Sequence, residues 1–240
     1  MAEKAETGIM NKEPSQIVYG LVDGLAVLQE MAMSPEPVSG LAVARKLDLS
    51  PIRVNRLLKT LAYLGLAYRT SSRRYAVGAG MHVIAAQSMA ASGLLSRSFI
   101  HLDRLAKHGY LVALGVLWKD KVCYLYYNSG GMPVENGLGG MTLYPALESS
   151  IGMSLLAELP EEDVKALFHE QADEELFRKL DEIRKKKLAM VKHKNHLSLA
   201  VNIGSPAYAA IAISGFKTSG GMEKFIKLLR EAAKAIEKTK

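Results

Sequence analysis

The stretch 39–77, SGLAVARKLDLSPIRVNRLLKTLAYLGLAYRTSSRRYAV, decides the reading of this chain. It parses into two short helices joined by a tight turn and followed by a basic hairpin. Ser39 is a helix-start residue, and Leu41, Ala42, Ala44 and Leu47 predict one apolar face before Asp48, Leu49 and Ser50 interrupt it. A second helix begins at once. Ser50 caps its open N–H groups, and Pro51 takes the first helical position, where a missing N–H costs nothing. Val54, Leu57, Leu58 and Leu61 recur at i, i+3, i+4 and i+7 and turn inward. Ile52, Arg53, Asn55, Arg56, Lys59, Thr60 and Tyr63 are left on the outer side. Gly65 offers a left-handed exit, and Ala67 to Thr70 and Arg73 to Val77 predict two short strands around Ser71 and Ser72.

Charge gives this unit its chemistry. Residues 41–80 hold eight Lys and Arg against one acid, Asp48, so their local charge equals the +7 of the whole chain. An outward arginine can bond a guanine edge twice, and an asparagine can do the same for adenine, each worth about 1–3 kcal/mol of discrimination. Arg69, Arg73 and Arg74 on the hairpin suit phosphates or a minor groove, which fixes register without reading sequence. The expected partner is double-stranded DNA, met by Ser50, Pro51, Arg53, Asn55, Arg56, Lys59, Arg69, Arg73 and Arg74.

At 240 residues, with 49% hydrophobic and 23% charged side chains, the chain suits one large or two ordinary folded domains. Residues 1–14 are polar and unpatterned and are expected to form a disordered arm without a signal peptide's apolar core. Uninterrupted apolar runs long enough for a membrane helix are absent, and the single Cys123 excludes an intramolecular disulfide. The expected location is the cytoplasm, with no membrane partner.

Ile17, Leu21, Leu25 and Leu28 predict a support helix ending near Met33, ahead of Pro35 and Pro37. Residues 80–93 read as a linker helix, and 94–240 as a second domain beside the first at 15–79. In it, Leu95, Phe99, Leu102 and Ala106 space a helix. Tyr110 to Trp118 and Val122 to Tyr127 predict a hairpin around Lys119, Asp120 and Lys121, and Gly130 to Gly140 a glycine-rich loop. Ser149 to Leu159, Glu161 to Phe168 and Asp173 to Lys187 read as helices. Leu197 to Ile203 and Ala207 to Ser214 form a second hairpin, and a closing helix carries Phe225, Leu228, Leu229, Ala232 and Ile236. The fold class is α+β, an antiparallel sheet flanked by helices.

The order of parts resembles the IclR family of bacterial transcription regulators from about Gln16 to the C-terminus. LAVARKLDLSPIRVNRLLKTLAYLGLAYR and RRYAVG are similar to its winged helix-turn-helix. PALESSIGMSLLAELP with EEDV is similar to the segment that opens its central effector-domain helix, and SLAVNIG and AIAISG to its paired strands. The resemblance implies an N-terminal DNA-binding domain, a linker helix used in dimerisation, and a C-terminal GAF-like domain that binds a small, often carboxylate-bearing metabolite. It implies no enzyme activity and no cofactor, and a homodimer or homotetramer. Carried over by position, it puts the effector against Ser149, Ser150, Ile151 and Gly152 at a helix start and against Ser198, Ala212 and Ser214 on the strands. A helix start presents unpaired N–H groups to a carboxylate. Leu138, Met141 and Leu143 are expected to form the apolar wall. Glu148, Ser149 and Ser150 stand where relatives commonly have alanine, threonine and alanine, and Met153 replaces a usual lysine. Either Glu148 points away from the site or the effector is not a simple acid, and the first is expected, since a carboxylate at a helix start is also a good cap.

His193 and His196 lie three residues apart among lysines that oppose a cation, so a solvated surface strip is expected and no metal. Cys123, amid strand residues, reads as a small buried apolar group. Gly152, Met153 and Ser154 begin like a nucleophile elbow, but Leu156 replaces the second glycine that its turn requires, so no catalytic residue is assigned. The competing classes are a metabolite-binding enzyme with an appended basic domain and an architectural DNA binder without an effector.

Overall fold

The computed structural model describes residues 15–128, 137, 143–217 and 221–238. The expected arm at 1–14, the glycine-rich stretch except Gly137, and the wall residues Leu138 and Met141 lie outside them. The chain divides into two compact units at the Gly93–Leu94 junction.

The N-terminal unit holds α1 (Tyr19–Ala32), α2 (Gly40–Leu47), α3 (Pro51–Tyr63), a hairpin of β1 (Ala67–Arg69) and β2 (Tyr75–Val77), and α4 (Ala79–Ser92). Local chemistry starts α2 and α3 as the sequence predicts. Ser39 Oγ accepts from Ala42 N at 3.1 Å, and Ser50 Oγ accepts from Arg53 N at 3.2 Å. Asp48 turns left-handed at φ 51° between α2 and α3, and Gly65 does so at φ 73° after α3. Val54, Leu58 and Leu61 of α3 meet Val27, Leu28 and Met31 of α1 in the core.

Two apolar stripes differ from the prediction. In α1 the buried residues are Val27, Leu28 and Met31, whereas Leu21 and Leu25 are exposed. In α2 they are Val43 and Ala44, with Leu41 and Ala42 exposed. Both helices are apolar on more than one side, so spacing alone does not choose the inward face. The hairpin ladder is also shorter than predicted, with three pairs from Ala67↔Val77 to Arg69↔Tyr75. Thr70 closes its turn, since its hydroxyl accepts from Arg74 N at 3.1 Å. Val38 adds a bridge to Tyr75.

The C-terminal unit runs α5 (Leu94–Ala106), β3 (Leu111–Trp118), β4 (Lys121–Asn128), β5 (Leu143–Pro145), a 3-10 turn at Ala146–Glu148, α6 (Ser150–Leu156), α7 (Glu161–Phe168), α8 (Glu174–Lys186), β6 (Ala189–Lys192), β7 (Leu197–Ile203), β8 (Ala209–Phe216) and α9 (Glu223–Lys238). Six antiparallel strands form one sheet in the order β5-β4-β3-β8-β7-β6. Helices α5 and α9 cover one face, over Val112, Leu114, Leu199, Val201, Ile211 and Ile213. Helix α6, backed by α7 and α8, covers part of the other. The edge strands β5 and β6 escaped the sequence reading because they are three and four residues long, and β6 lies in a lysine- and histidine-rich stretch.

Registers arrange the α6 face into rows. One runs Tyr127, Ala113, Ala212, Ala200, and the next runs Leu111, Ser214, Ser198, Val191. Between Leu114 and Gly115 the pairing jumps from Tyr126 to Tyr124, which leaves Leu125 as an extra residue in β4. The bulge changes the face of every side chain beyond it. Tyr124 and Tyr127 therefore share the α6 face, while Tyr126 turns under Phe99 of α5 with ring centroids 6.0 Å apart.

Candidate functional site

Two sites stand out, one in each unit. The outer side of α3 exposes Pro51, Arg53, Asn55, Arg56 and Lys59. The cations divide by what holds them. Arg53 pairs through Nε with Asp23 of α1, Arg74 donates to Pro37 O at 3.2 Å, and Arg69 lies over the Tyr75 ring at 5.8 Å. Arg56, Lys59 and Arg73 make no side-chain hydrogen bond or ion pair among the described residues. The fixed arginines brace the unit's frame, and the free ones project from it.

In the C-terminal unit, a cavity of about 510 Å³ opens on the α6 face. Its floor is the small-residue centre of the two rows, Ala113, Ala212, Ser198 and Ser214, with Leu111 at one side. Ser149 and Ser150 close one end at the start of α6. Ser149 Oγ accepts from Gly152 N at 3.2 Å and shares a hydrogen bond with Tyr124 OH at 2.9 Å. Ser150 and Ser214 are buried, and their hydroxyls bond to no described residue. The β6–β7 turn supplies His193 and His196, whose rings stack at 4.5 Å. His193 Nε2 lies 3.0 Å from Ser198 Oγ, and Ser198 Oγ donates to Val191 O at 3.4 Å. Because that donation uses the serine proton, the compatible tautomer carries its proton on Nε2 of His193.

Tyr124, Tyr127 and Tyr144 form the remaining wall with Glu148. Tyr144 OH donates to Glu148 Oε2 at 3.3 Å. Burial pushes the Tyr124 phenol above its ordinary pKa, and burial followed by the nearby Glu148 charge does the same to Tyr144. Both phenols stay neutral. Burial, then His196 alongside, pushes the His193 imidazole down, while Glu148 pulls the other way.

The prediction and the cavity overlap in part. Ser149, Ser150, Ser198, Ala212 and Ser214 line it together. Ile151 does not, being fully buried beside Gly115 and Val122. Gly152 is walled off by the Ala146 backbone, and Leu143 pairs with Cys123 in an edge ladder. Glu148 lines the cavity rather than pointing away, because Ser149 takes the capping role. His193 and His196 belong to the cavity rather than to a surface strip, since β6 and β7 fold their turn over the floor. Cys123 is half-buried. Ser154 is buried on α6, and among the described residues no cluster of three or more His, Cys, Asp or Glu forms a metal site. Tyr124 and Tyr127 went unread because a bulge leaves no periodic signal, and Tyr144 because its strand is only three residues long. No described helix is long and apolar enough to cross a membrane.

Neither a protein-family model nor a curated protein matches the sequence. Solved structures do. An IclR family transcriptional regulator from Brucella abortus superposes with a TM-score of 0.76 at 20% identity, covering 95% of this chain and 94% of that one. The chain has the fold of the IclR regulators. An IclR transcriptional regulator from Alicyclobacillus acidocaldarius matches 92% of this chain and 98% of its own at a TM-score of 0.70 and 20% identity. An IclR homolog from Microbacterium hydrocarbonoxydans, solved in complex with 4-hydroxybenzoate, matches 91% and 97% at a TM-score of 0.68 and 20% identity.

Proposed function

We propose that the protein is a ligand-responsive transcription regulator, a winged helix-turn-helix DNA-binding unit joined through α4 to a GAF-like domain that binds a small metabolite. The observation that carries the reading is the pairing, in one chain of IclR-regulator fold, of a free basic face on α3 with a cavity in the sheet domain. Helix α3 is the recognition helix, and β1–β2 the wing. Arg56, Lys59 and Asn55 meet base edges, Arg73 meets phosphate, and Ser50, Pro51, Arg53, Arg69 and Arg74 hold the reading head in register. The effector occupies the cavity, with Ser198 and Ser214 of its floor and Ser149 and Ser150 at one end as its hydrogen-bonding partners. A carboxylate-bearing effector is consistent with the ligand of the Microbacterium homolog.

The test is a salt titration of binding to duplexes selected from a random library. Arg56→Ala is expected to lose about 5- to 150-fold on selected duplexes and little on unselected ones. Arg73→Ala is expected to weaken binding to every duplex and lower the salt slope by about one. Unchanged curves for both variants would remove the assignment of this surface.

The regulator acts as a homodimer or homotetramer. Tyr19, Leu21, Val22 and Leu25 on α1, and Val83 and Ile84 on α4, are large apolar residues left open to solvent. A second copy covers them and sets two recognition helices about one or more DNA turns apart. Val22→Asp combined with Leu25→Asp is expected to lower the mass measured by light scattering and to weaken operator binding. An unaltered mass would place the subunit contact elsewhere. Ligand then acts by preferring one spacing of the heads, since equal affinity for both shifts nothing.

A further inference from the structure

We propose that the effector carries an alkylated ammonium group, which Tyr124, Tyr127, Tyr144 and Glu148 receive as an aromatic cage. The inference rests on reading the cavity as the effector site and adds the chemistry of its occupant. Tyr124 is the middle ring, with centroids 5.9 Å from Tyr127 and 6.3 Å from Tyr144, inclined to them by 71° and 59°. The three rings pack edge-to-face or tilted against one another and line the same cavity, so a guest there lies beside a continuous aromatic surface. A cation held over an aromatic face is attracted to it, most strongly where water is displaced. Methylated ammonium suits the cage best, because it is weakly hydrated and fills apolar space.

Charge on the wall points the same way. Glu148 is the one carboxylate among the described lining residues, and these include no Lys or Arg. The two imidazoles stack at 4.5 Å, so a charge on one opposes a charge on the other. A purely anionic ligand would meet Glu148 with no fixed positive side chain in compensation. An ammonium group beside Glu148 leaves the hydroxyls of Ser150 and Ser214 to a polar or carboxylate group of the same ligand. The cage follows from the Leu125 bulge, which alone puts Tyr124 and Tyr127 on one face.

Calorimetric titration of the full chain tests this with tetramethylammonium, choline, trimethylglycine, 3,3-dimethylbutan-1-ol and 4-hydroxybenzoate. The alcohol is choline's neutral isostere. At least one ammonium probe is expected to bind, with choline exceeding the alcohol about tenfold if it is the one that binds. Tyr127→Leu and Glu148→Gln are each expected to weaken the bound ammonium probe by about threefold or more. Tyr127 is exposed, so its replacement leaves the fold intact, and circular dichroism checks both variants. Equal binding of choline and the alcohol overturns the proposal, as does indifference of the ammonium probe to Glu148→Gln. Binding of 4-hydroxybenzoate alone also overturns it while leaving the effector site standing. If no ammonium probe binds, the proposal fails, and the response of DNA affinity to other metabolites then judges the effector reading separately.

Discussion

Gly152→Ala is expected to destabilise the sheet domain by about 3 kcal/mol or more, the upper end of what overpacking costs and a large part of a typical domain's 5–15 kcal/mol. A Cβ built on Gly152 falls 2.2 Å from Ala146 O, 2.6 Å from its Cα and 2.7 Å from its carbonyl carbon. These are backbone atoms of the 3-10 turn that delivers Ser149 to α6, so they cannot move aside as a flexible side chain would. Trp118, the only tryptophan, lies at the end of β3 in the same unit. Its fluorescence in a urea titration should give a clearly lowered midpoint. A midpoint within error of the wild type would mean that the turn yields freely. Larger substitutions at Gly152 therefore unfold this region before they obstruct the cavity.

Leu58→Ala is the second large effect, and it falls on the other unit. Leu58 is fully buried, in a cluster with Val27, Leu28, Val54 and Tyr75. Truncating such a leucine costs about 2–5 kcal/mol, the spread reflecting how far the site collapses. The N-terminal unit spans only 12–93, and a domain of that size has little stability to spare. Far-ultraviolet circular dichroism is expected to show helix loss at lower urea than the Trp118 transition, with DNA affinity lost alongside. Since the chain has two compact units, each probe is read as its own transition. Coincident wild-type curves in both probes would show that α3 does not depend on this contact.

Much of the N-terminal unit was legible because its signals are local. Caps at Ser39 and Ser50, Pro51 at a helix start and the left-handed Gly65 act within four residues of where they sit. What failed there was the choice of face for α1 and α2, because a helix apolar on two sides carries no record of which one meets α3. In the sheet domain the long strands and helices were readable, and five of the predicted pocket residues meet in one cavity. The tyrosine wall and the histidine turn were not readable. A bulge shifts the phase of a strand without any marker residue, and His193 reaches Ser198 only because β6 pairs with β7. The free and braced arginines likewise look alike in sequence. Asp23, thirty residues upstream, is what distinguishes Arg53 from Arg56.

The rows of alanine and serine beneath the cavity also act as a gauge for the guest's size. Each adds little bulk between strands whose partners on the opposite face are leucine, isoleucine and valine, so every methyl group introduced at Ala113 or Ala212 shortens the largest molecule admitted while leaving the hydrogen-bonded ladder untouched. Single substitutions in the floor therefore reset the size of molecule the cavity admits without touching the N-terminal unit.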